Sequence, residues 1–424
     1  MKAGTFDPTK LDRIIEVLDS LRQHRVEHPR DKSDELYYEL LVNYYRGIVD
    51  AKQQGRLVVD VKPFVPTEIF YAMDVVPSVA EPITGTMITL GNLWEESLAS
   101  AKAFGISSSV CSMHRHSTAV ALNGWLPRPD AVIWSSMYCD DEVGAGNLVA
   151  RLWAAPSYFL DRGYDANKRD LAYFVRELEA MIAFLENLTG RKMDWDRLAQ
   201  AMDYSRQLMA LQREVEDLRK AVPSPLRSRA GMYMHLLGMY LAGAPEGVTF
   251  FRQLRDEART RVASGEGAIK EERYRLLMFY EIPVYAWKLL DWMERAHGAV
   301  IVFEPIWGQW GPGDIDPSKP LESLAYKTFI RPALRQQVGR VEPLVEDMVR
   351  AAKEYSVDGV ITFCHVGCRQ NSSCNRLVKD AIVEETGLPF LTVEDDIADP
   401  AFVSEEEMRD KIEGFFEMID ERRR

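Results

Sequence analysis

The sequence predicts an α/β protein made of two parallel-sheet domains, with a helical N-terminal arm and a helical insert between the domains. Three observations predict it. Short apolar runs with strand character alternate with helix-period segments over residues 56–165 and again over 273–424. Such alternation builds strand–helix–strand units and hence parallel sheets. Between these stretches, residues 166–272 carry helical periodicity without strand signals. Two of the strand-like runs, DAVIWS at 130–135 and DGVITF at 358–363, lead directly into cysteine-bearing segments, and open parallel sheets bind ligands just beyond the carboxyl ends of their strands.

The elements follow in order. Leu11, Ile14, Ile15, Leu18 and Leu21 recur at helical spacing, as do Leu36, Leu40, Leu41 and Tyr44, so residues 1–55 form the helical arm. From Arg56 the pattern shortens: RLVVDV reads as a strand stopped by Pro63 and Pro66, TEIFYAMD as a helix and VVPSVAEP as a strand. A helical stretch near 92–104, the strand at 130–135 and the strand APSYFLD at 155–161 complete the first domain, 56–165. In the insert, Phe174, Leu178, Met181, Ile182 and Leu185 share one helix face, Leu198, Met202, Leu208 and Leu211 share another, and Val222-Pro223 breaks the run. The second domain, 273–424, opens with RYRLLMFYEIPVYAW (273–287) and continues with strands AVIVFE (299–304), DGVITF and PFLTVE (389–394) and helices over 338–355, 375–386 and 405–422. The Gly/Pro/Asp-rich piece 308–320 reads as a surface loop. No internal sequence repeat is visible, but cysteines at matching edges predict an architectural repeat of two flavodoxin- or Rossmann-like sheets.

Composition narrows the function. A chain of 424 residues with 46% hydrophobic and 28% charged residues can build several cores. Its net charge of −13 disfavours nucleic acid and anionic membrane surfaces as partners. The N-terminal segment is charged and amphipathic, and no run approaches the ~20 apolar residues of a membrane span. A cytoplasmic location is therefore expected, where thiols stay reduced. Five cysteines in such a setting point to metal or redox chemistry rather than to a disulfide framework.

The cysteines lie in three segments: Cys111 in SVCSMHR, Cys139 in WSSMYCDD, and Cys364, Cys368 and Cys374 in ITFCHVGCRQNSSCNR. The C-x3-C-x5-C spacing of the last three is neither the paired motif of a zinc ribbon nor the run of a ferredoxin. Thiolates suit iron–sulfur clusters and zinc alike. Three thiolates on a four-iron cluster would leave one iron open to substrate or water. Cys364, at the end of a strand, reads equally as a ligand or as a buried small hydrophobe. Cys111 and Cys139 sit among polar residues, and Cys368 follows Gly367, which permits close backbone approach. Cys374, at the expected start of a helix, is either a further ligand or a neighbour of the site.

His114, His116 and His365 flank these cysteines and read as hydrogen-bond partners more readily than as ligands. Arg115 and Arg369 are candidate donors to a negatively charged cluster or to an acyl-CoA phosphate, with surface ion pairing as the plainer role. Glu394, leading the run Glu394-Asp395-Asp396, is a candidate general base, although acidic residues after a strand are expected to cap a helix.

These segments resemble those of a known family, the iron–sulfur subunits of 2-hydroxyacyl-CoA dehydratases and ATP-dependent benzoyl-CoA reductases. The resemblance spans VPTEIFYAMDVVPSVAEP (65–82), SVCSMHR, PDAVIWSSMYCDD with APSYFLDRGYD after it, YRLLMFYEIPVYAW, DGVITFCHVGCRQNS and LPFLTVEDDIADP. It implies one 4Fe-4S cluster held by Cys111, Cys139 and Cys368, and carries no ligand role onto Cys364 or Cys374. It implies an acyl-CoA substrate, a homologous second subunit or a homodimer, and a separate ATP-hydrolysing iron–sulfur activator that delivers one electron at low potential. That electron makes a ketyl radical of the thioester carbonyl. Loss of the 2-hydroxyl and deprotonation at C3 then give the enoyl-CoA. In the benzoyl-CoA branch the ring is reduced instead. The chain has no GxxxxGK[ST] segment, so the activator is expected to spend the ATP.

The sequence departs from the family in its closing helix, where MRDKIEGFFEM has Lys411 in place of an arginine and retains Glu413. Five cysteines also argue against a double-cubane cluster. A zinc-thiolate protein without redox chemistry and a scaffold protein with a structural cluster are the readings from other classes.

Overall fold

A computed structural model describes residues 2–308, 315–337 and 339–424. Among these residues, eight strands form two four-stranded sheets, and every strand pairing within each sheet is parallel. The fold is α/β, as the alternation predicts. The chain divides into two compact units, one of residues 1–210, 236–253 and 311–330, the other of 211–235, 254–310 and 331–424.

In the first unit β1 (Val58–Val61), β2 (Val76–Val79), β3 (Ala131–Ser135) and β4 (Ser157–Leu160) lie in the order β2-β1-β3-β4. β1 and β3 are buried along their whole length, as central parallel strands covered on both faces must be. One sheet face packs Val132 and Trp134 against Val149, Ala150, Leu152 and Trp153 of the helix Asp140–Trp153. The N-terminal helices Pro8–Glu27 and Lys32–Gln53 bury Leu11, Ile14 and Leu18 of the first and Leu40, Leu41, Tyr45 and Ile48 of the second.

The strand expected over 75–82 is cut short, because a helix runs from Ala80 to Gly91. Its Pro82, Gly85 and β-branched residues are weak helix formers. Burial of most of its length overrides that local preference.

In the second unit β5 (Tyr274–Phe279), β6 (Ala299–Phe303), β7 (Gly359–His365) and β8 (Phe390–Asp395) lie in the order β6-β5-β7-β8. The two sheets thus repeat one strand order, the architectural repeat expected from the cysteine positions. One face of this second sheet buries Leu276, Met278, Ile361, Phe363 and Val393 against Met408, Ile412, Phe415, Phe416 and Ile419 of the closing helix Glu405–Arg423.

The helix expected over 338–355 is Glu342–Glu354, and Val338 itself lies outside the described residues. Of the loop expected over 308–320, residues 309–314 lie outside them too. No described helix is long and apolar enough to cross a membrane.

In a sheet of this order the connections leave the first strand on opposite sides, so the crevice opens at the carboxyl ends of the first and third strands. That point falls after β1 and β3 in one sheet and after β5 and β7 in the other.

Candidate functional site

Cys139 and Cys368 occupy the same place in the two sheets. Each follows the third strand and is the N-cap of the next helix, Asp140–Trp153 or Arg369–Thr386. Cys111 is likewise the N-cap of the helix Ser112–Asn123. The three helices run 14, 18 and 12 residues. Their aligned peptide dipoles place partial positive charge at these ends, which favours thiolate over thiol.

Two contacts join the cysteine segments of the first unit. The Cys111 backbone N–H donates to Asp141 Oδ2 at 3.0 Å. His114, one turn into the helix that Cys111 caps, brings Nε2 to 3.3 Å from Cys139 Sγ.

A charged network lies behind that histidine. His114 Nδ1 is 3.4 Å from Glu81 Oε1, and Glu81 Oε1 accepts a 2.8 Å hydrogen bond from Lys62 Nζ. Lys62 is fully buried just after β1 and also donates to Ser117 Oγ at 3.2 Å. Ser135, the last residue of β3, donates to Glu142 Oε1 at 2.9 Å. Burial would raise Glu81, but Lys62 and His114 hold its carboxylate well below the usual range. Burial, reinforced by the charge on Glu81, pushes Glu142 well above that range. The network therefore pairs Lys62 with Glu81 and biases the Glu142 carboxyl toward its protonated form. A cation left alone in this interior would be far less stable.

The first strand of each sheet is followed by an aromatic residue in the left-handed region, Phe64 at φ 68° and Tyr280 at φ 69°. This conformation costs a residue with a Cβ roughly 1–2 kcal/mol. Both aromatics reach the cysteine loop beyond the third strand. The Phe64 ring lies 5.1 Å, centroid to centroid, from Tyr138, which precedes Cys139. Tyr280 Oη donates to Cys368 Sγ at 3.1 Å.

The other two cysteines differ in kind. Cys364 lies within β7, opposite Glu394 of β8. Cys374 lies inside the helix Arg369–Thr386 with its Sγ 2.8 Å from the Gln370 carbonyl. Burial, with nearby carboxylates and Cys368 adding to it, pushes the Cys364 thiol up to about 11. Burial and the neighbouring Cys368 push Cys374 up to about 12. Cys374 was expected at a helix start, but the helix begins five residues earlier, at Arg369. Asn371, Ser372 and Ser373 are capping-type residues that place the expected start late, whereas the actual cap, Cys368, is not one of the usual capping types.

The remaining sequence candidates separate in the same way. His116 Nδ1 pairs with Ser97 Oγ at 2.7 Å, and His365 Nδ1 accepts the Ile397 N–H at 3.1 Å, so both are structural hydrogen-bond partners. Arg115 is half-buried in the helix Ser112–Asn123, and Arg369 is exposed as the first residue of its helix. Glu394 and Asp395 belong to β8, with Glu394 exposed and Asp395 buried. The Asp396 carboxylate accepts the Ala398 N–H at 3.1 Å. These acids cap no helix, because the next one starts at Glu405. Lys411 pairs with Glu407 on the exposed face of the closing helix.

Sequence reading missed Lys62, Glu81, Glu142 and Tyr280. Lys62 left one trace, a lysine directly after a strand otherwise apolar but for Asp60. Among the described residues no three His, Cys, Asp or Glu side chains converge in the arrangement of a bound metal ion. Thiols at positive helix ends, Cys111 and Cys139 in the first unit and Cys368 in the second, are soft donors that suit zinc or iron–sulfur chemistry better than a hard cation.

Residues 63–419 match the family model described as 2-hydroxyglutaryl-CoA dehydratase, D-component. The chain is 27% identical to a benzoyl-CoA reductase subunit of Thauera aromatica, over 91% of this chain and 94% of the relative. It is 23% identical to the (R)-2-hydroxyisocaproyl-CoA dehydratase alpha subunit of Clostridioides difficile, over 91% and 96%. It is 21% identical to the (R)-phenyllactyl-CoA dehydratase alpha subunit of Clostridium sporogenes, over 92% and 98%. The chain belongs to the 2-hydroxyglutaryl-CoA dehydratase D-component family and is an enzyme of the acyl-CoA dehydratase and benzoyl-CoA reductase type.

Proposed function

We propose that this chain is the 4Fe-4S subunit of a radical 2-hydroxyacyl-CoA dehydratase, with Cys111, Cys139 and Cys368 as the cluster ligands. The observation that carries the reading is the shared placement of these three thiols at helix N-termini, a placement that Cys364 and Cys374 lack. A cluster held by three thiolates supplies one-electron chemistry and an open coordination position on one iron.

The reaction assigned is elimination of water. One electron added to the thioester carbonyl gives a ketyl, the 2-hydroxyl leaves, a proton leaves C3, and return of the electron yields the enoyl-CoA with no net oxidation. A C3 proton is too weakly acidic for a protein base in the ground state, and the ketyl lowers that barrier. The chain's own residues hold the thiols in place: Asp141 fixes the Cys111 backbone, and Lys62 and Glu81 set the histidine that meets Cys139.

The partners proposed are a homologous second subunit or a second copy, an ATP-hydrolysing activator and an acyl-CoA, in a reducing cytoplasm. The relatives' names support a partner, since each of them is named as one subunit of its enzyme. The 27% identity to a benzoyl-CoA reductase subunit supports a second reading, ring reduction of an aromatic acyl-CoA with the same donor set.

Anaerobic purification with iron, acid-labile sulfide and zinc assays tests the proposal. About four irons and four sulfides per chain are expected for a single cubane. Zinc without sulfide overturns it. With the cluster present and an activator supplied, dehydration of 2-hydroxyacyl-CoA against reduction of benzoyl-CoA decides between the two reactions.

A further inference from the structure

We infer that Tyr280 is a positioning residue that tunes the cluster's reduction potential through its hydrogen bond to Cys368. The inference rests on the ligand role proposed for that cysteine. Tyr280 Oη lies 3.1 Å from Cys368 Sγ, both residues are under a tenth exposed, and a phenol facing a thiolate can only donate. A donor to a ligand sulfur stabilises the more negative, reduced cluster and so raises its potential. Burial strengthens the effect by excluding water that would otherwise compete.

The first unit supplies an internal comparison. Phe64, three residues past β1 where Tyr280 is one residue past β5, has the same left-handed backbone and sets its ring against Tyr138 in the loop before Cys139. A phenyl ring therefore suffices to pack against such a loop. What Tyr280 adds is the hydroxyl. The two sheets, alike in strand order, differ in which residue meets the loop cysteine: Tyr280, after the first strand, donates to Cys368, whereas His114, from a helix, meets Cys139.

The test compares the anaerobically purified wild type with Tyr280→Phe and with 3-fluorotyrosine introduced at position 280 alone. Iron and sulfide are assayed in each, and the midpoint potential is read by electron paramagnetic resonance during a redox titration. In Tyr280→Phe the reduced-to-oxidised ratio at fixed potential is expected to fall by up to about tenfold, the scale of one charge-assisted hydrogen bond, which is about 59 mV for a one-electron couple. Fluorotyrosine, a stronger donor of nearly the same size, should move the potential the opposite way. If Tyr280→Phe fails to load its cluster, the fluorotyrosine protein decides alone. Unchanged potentials in loaded variants overturn the inference and reduce Tyr280 to packing. A wild type without iron and sulfide overturns the cluster reading itself.

Discussion

Gly146 lies directly against Trp134: a methyl group on its Cα would stand 2.5 Å from Trp134 Cγ. Trp134 is in β3 and Gly146 in the helix that Cys139 caps, so the missing side chain sets how closely that helix approaches its sheet. Gly146→Ala forces the helix off β3 at a cost of about 1–3 kcal/mol, and iron content should fall because the cap moves with the helix. Gly144 is the control, since nothing lies within 4 Å of a Cβ there. Gly144→Ala should be neutral or stabilise by up to about 1 kcal/mol through helix propensity. Urea unfolding of both variants separates close packing from a generic glycine effect, and equal responses would sink the argument.

Arg219 and Glu304 form an ion pair of 3.0 Å with side chains only 1% and 2% exposed. Arg219 also donates to the Ile301 carbonyl of β6 at 2.9 Å. Burial outweighs the arginine and keeps Glu304 above its usual range, so this carboxylate is already poorly solvated. Arg219→Met removes its partner and should cost roughly 3–5 kcal/mol. Adding Glu304→Gln should recover a large part of that loss, because the strain comes from an uncompensated charge. A double variant no better than Arg219→Met would locate the cost in lost packing instead.

Much of this architecture was legible in the sequence. Parallel strands buried on both faces read as apolar runs, and β3, β6 and β7 begin within a residue of their expected starts. Three kinds of feature were not legible. The helix Ala80–Gly91 is made of weak helix formers and exists because tertiary burial favours it. The helix after Cys368 starts with a cysteine cap, which no capping rule anticipates. Lys62, Glu81 and Glu142 come from separate segments that only the fold assembles, and a lone buried charge in a sequence does not name its partner. Tyr280 is hidden for a related reason, because its reach to Cys368 depends on a left-handed backbone at a residue that rarely adopts one.

The distinction between capping and non-capping cysteines can be checked directly. Cys111→Ser, Cys139→Ser and Cys368→Ser should each lose the cluster, since a hydroxyl at a helix N-terminus is a poor soft ligand. Cys364→Ala and Cys374→Ala should retain it. Their thiols are held protonated by burial, and the small cavities left should cost about 1 kcal/mol each. Iron and sulfide per chain in the five variants give the answer. Equal loss in all five would sink the choice of ligands.

Asp60 gives the pH prediction. It lies in β1 at 7% exposure, and burial, with Glu81 adding to it and Lys62 opposing it, raises its carboxyl from 3.8 to about 7. Above its unfolded value and below its folded one, the native chain holds a proton that the unfolded chain has released. Stability contributed by Asp60 is therefore full below about pH 4, falls as pH rises to about 7, and is flat beyond, at about 1.4 kcal/mol per unit. Asp60→Asn cannot titrate, and the other carboxylates cancel in the difference between the two proteins. Relative to wild type, the variant should gain roughly 4 kcal/mol between about pH 4 and pH 8, read from urea titrations across that range. A difference that stays constant with pH would mean that Asp60 is ionised throughout that range, held as an anion by Lys62.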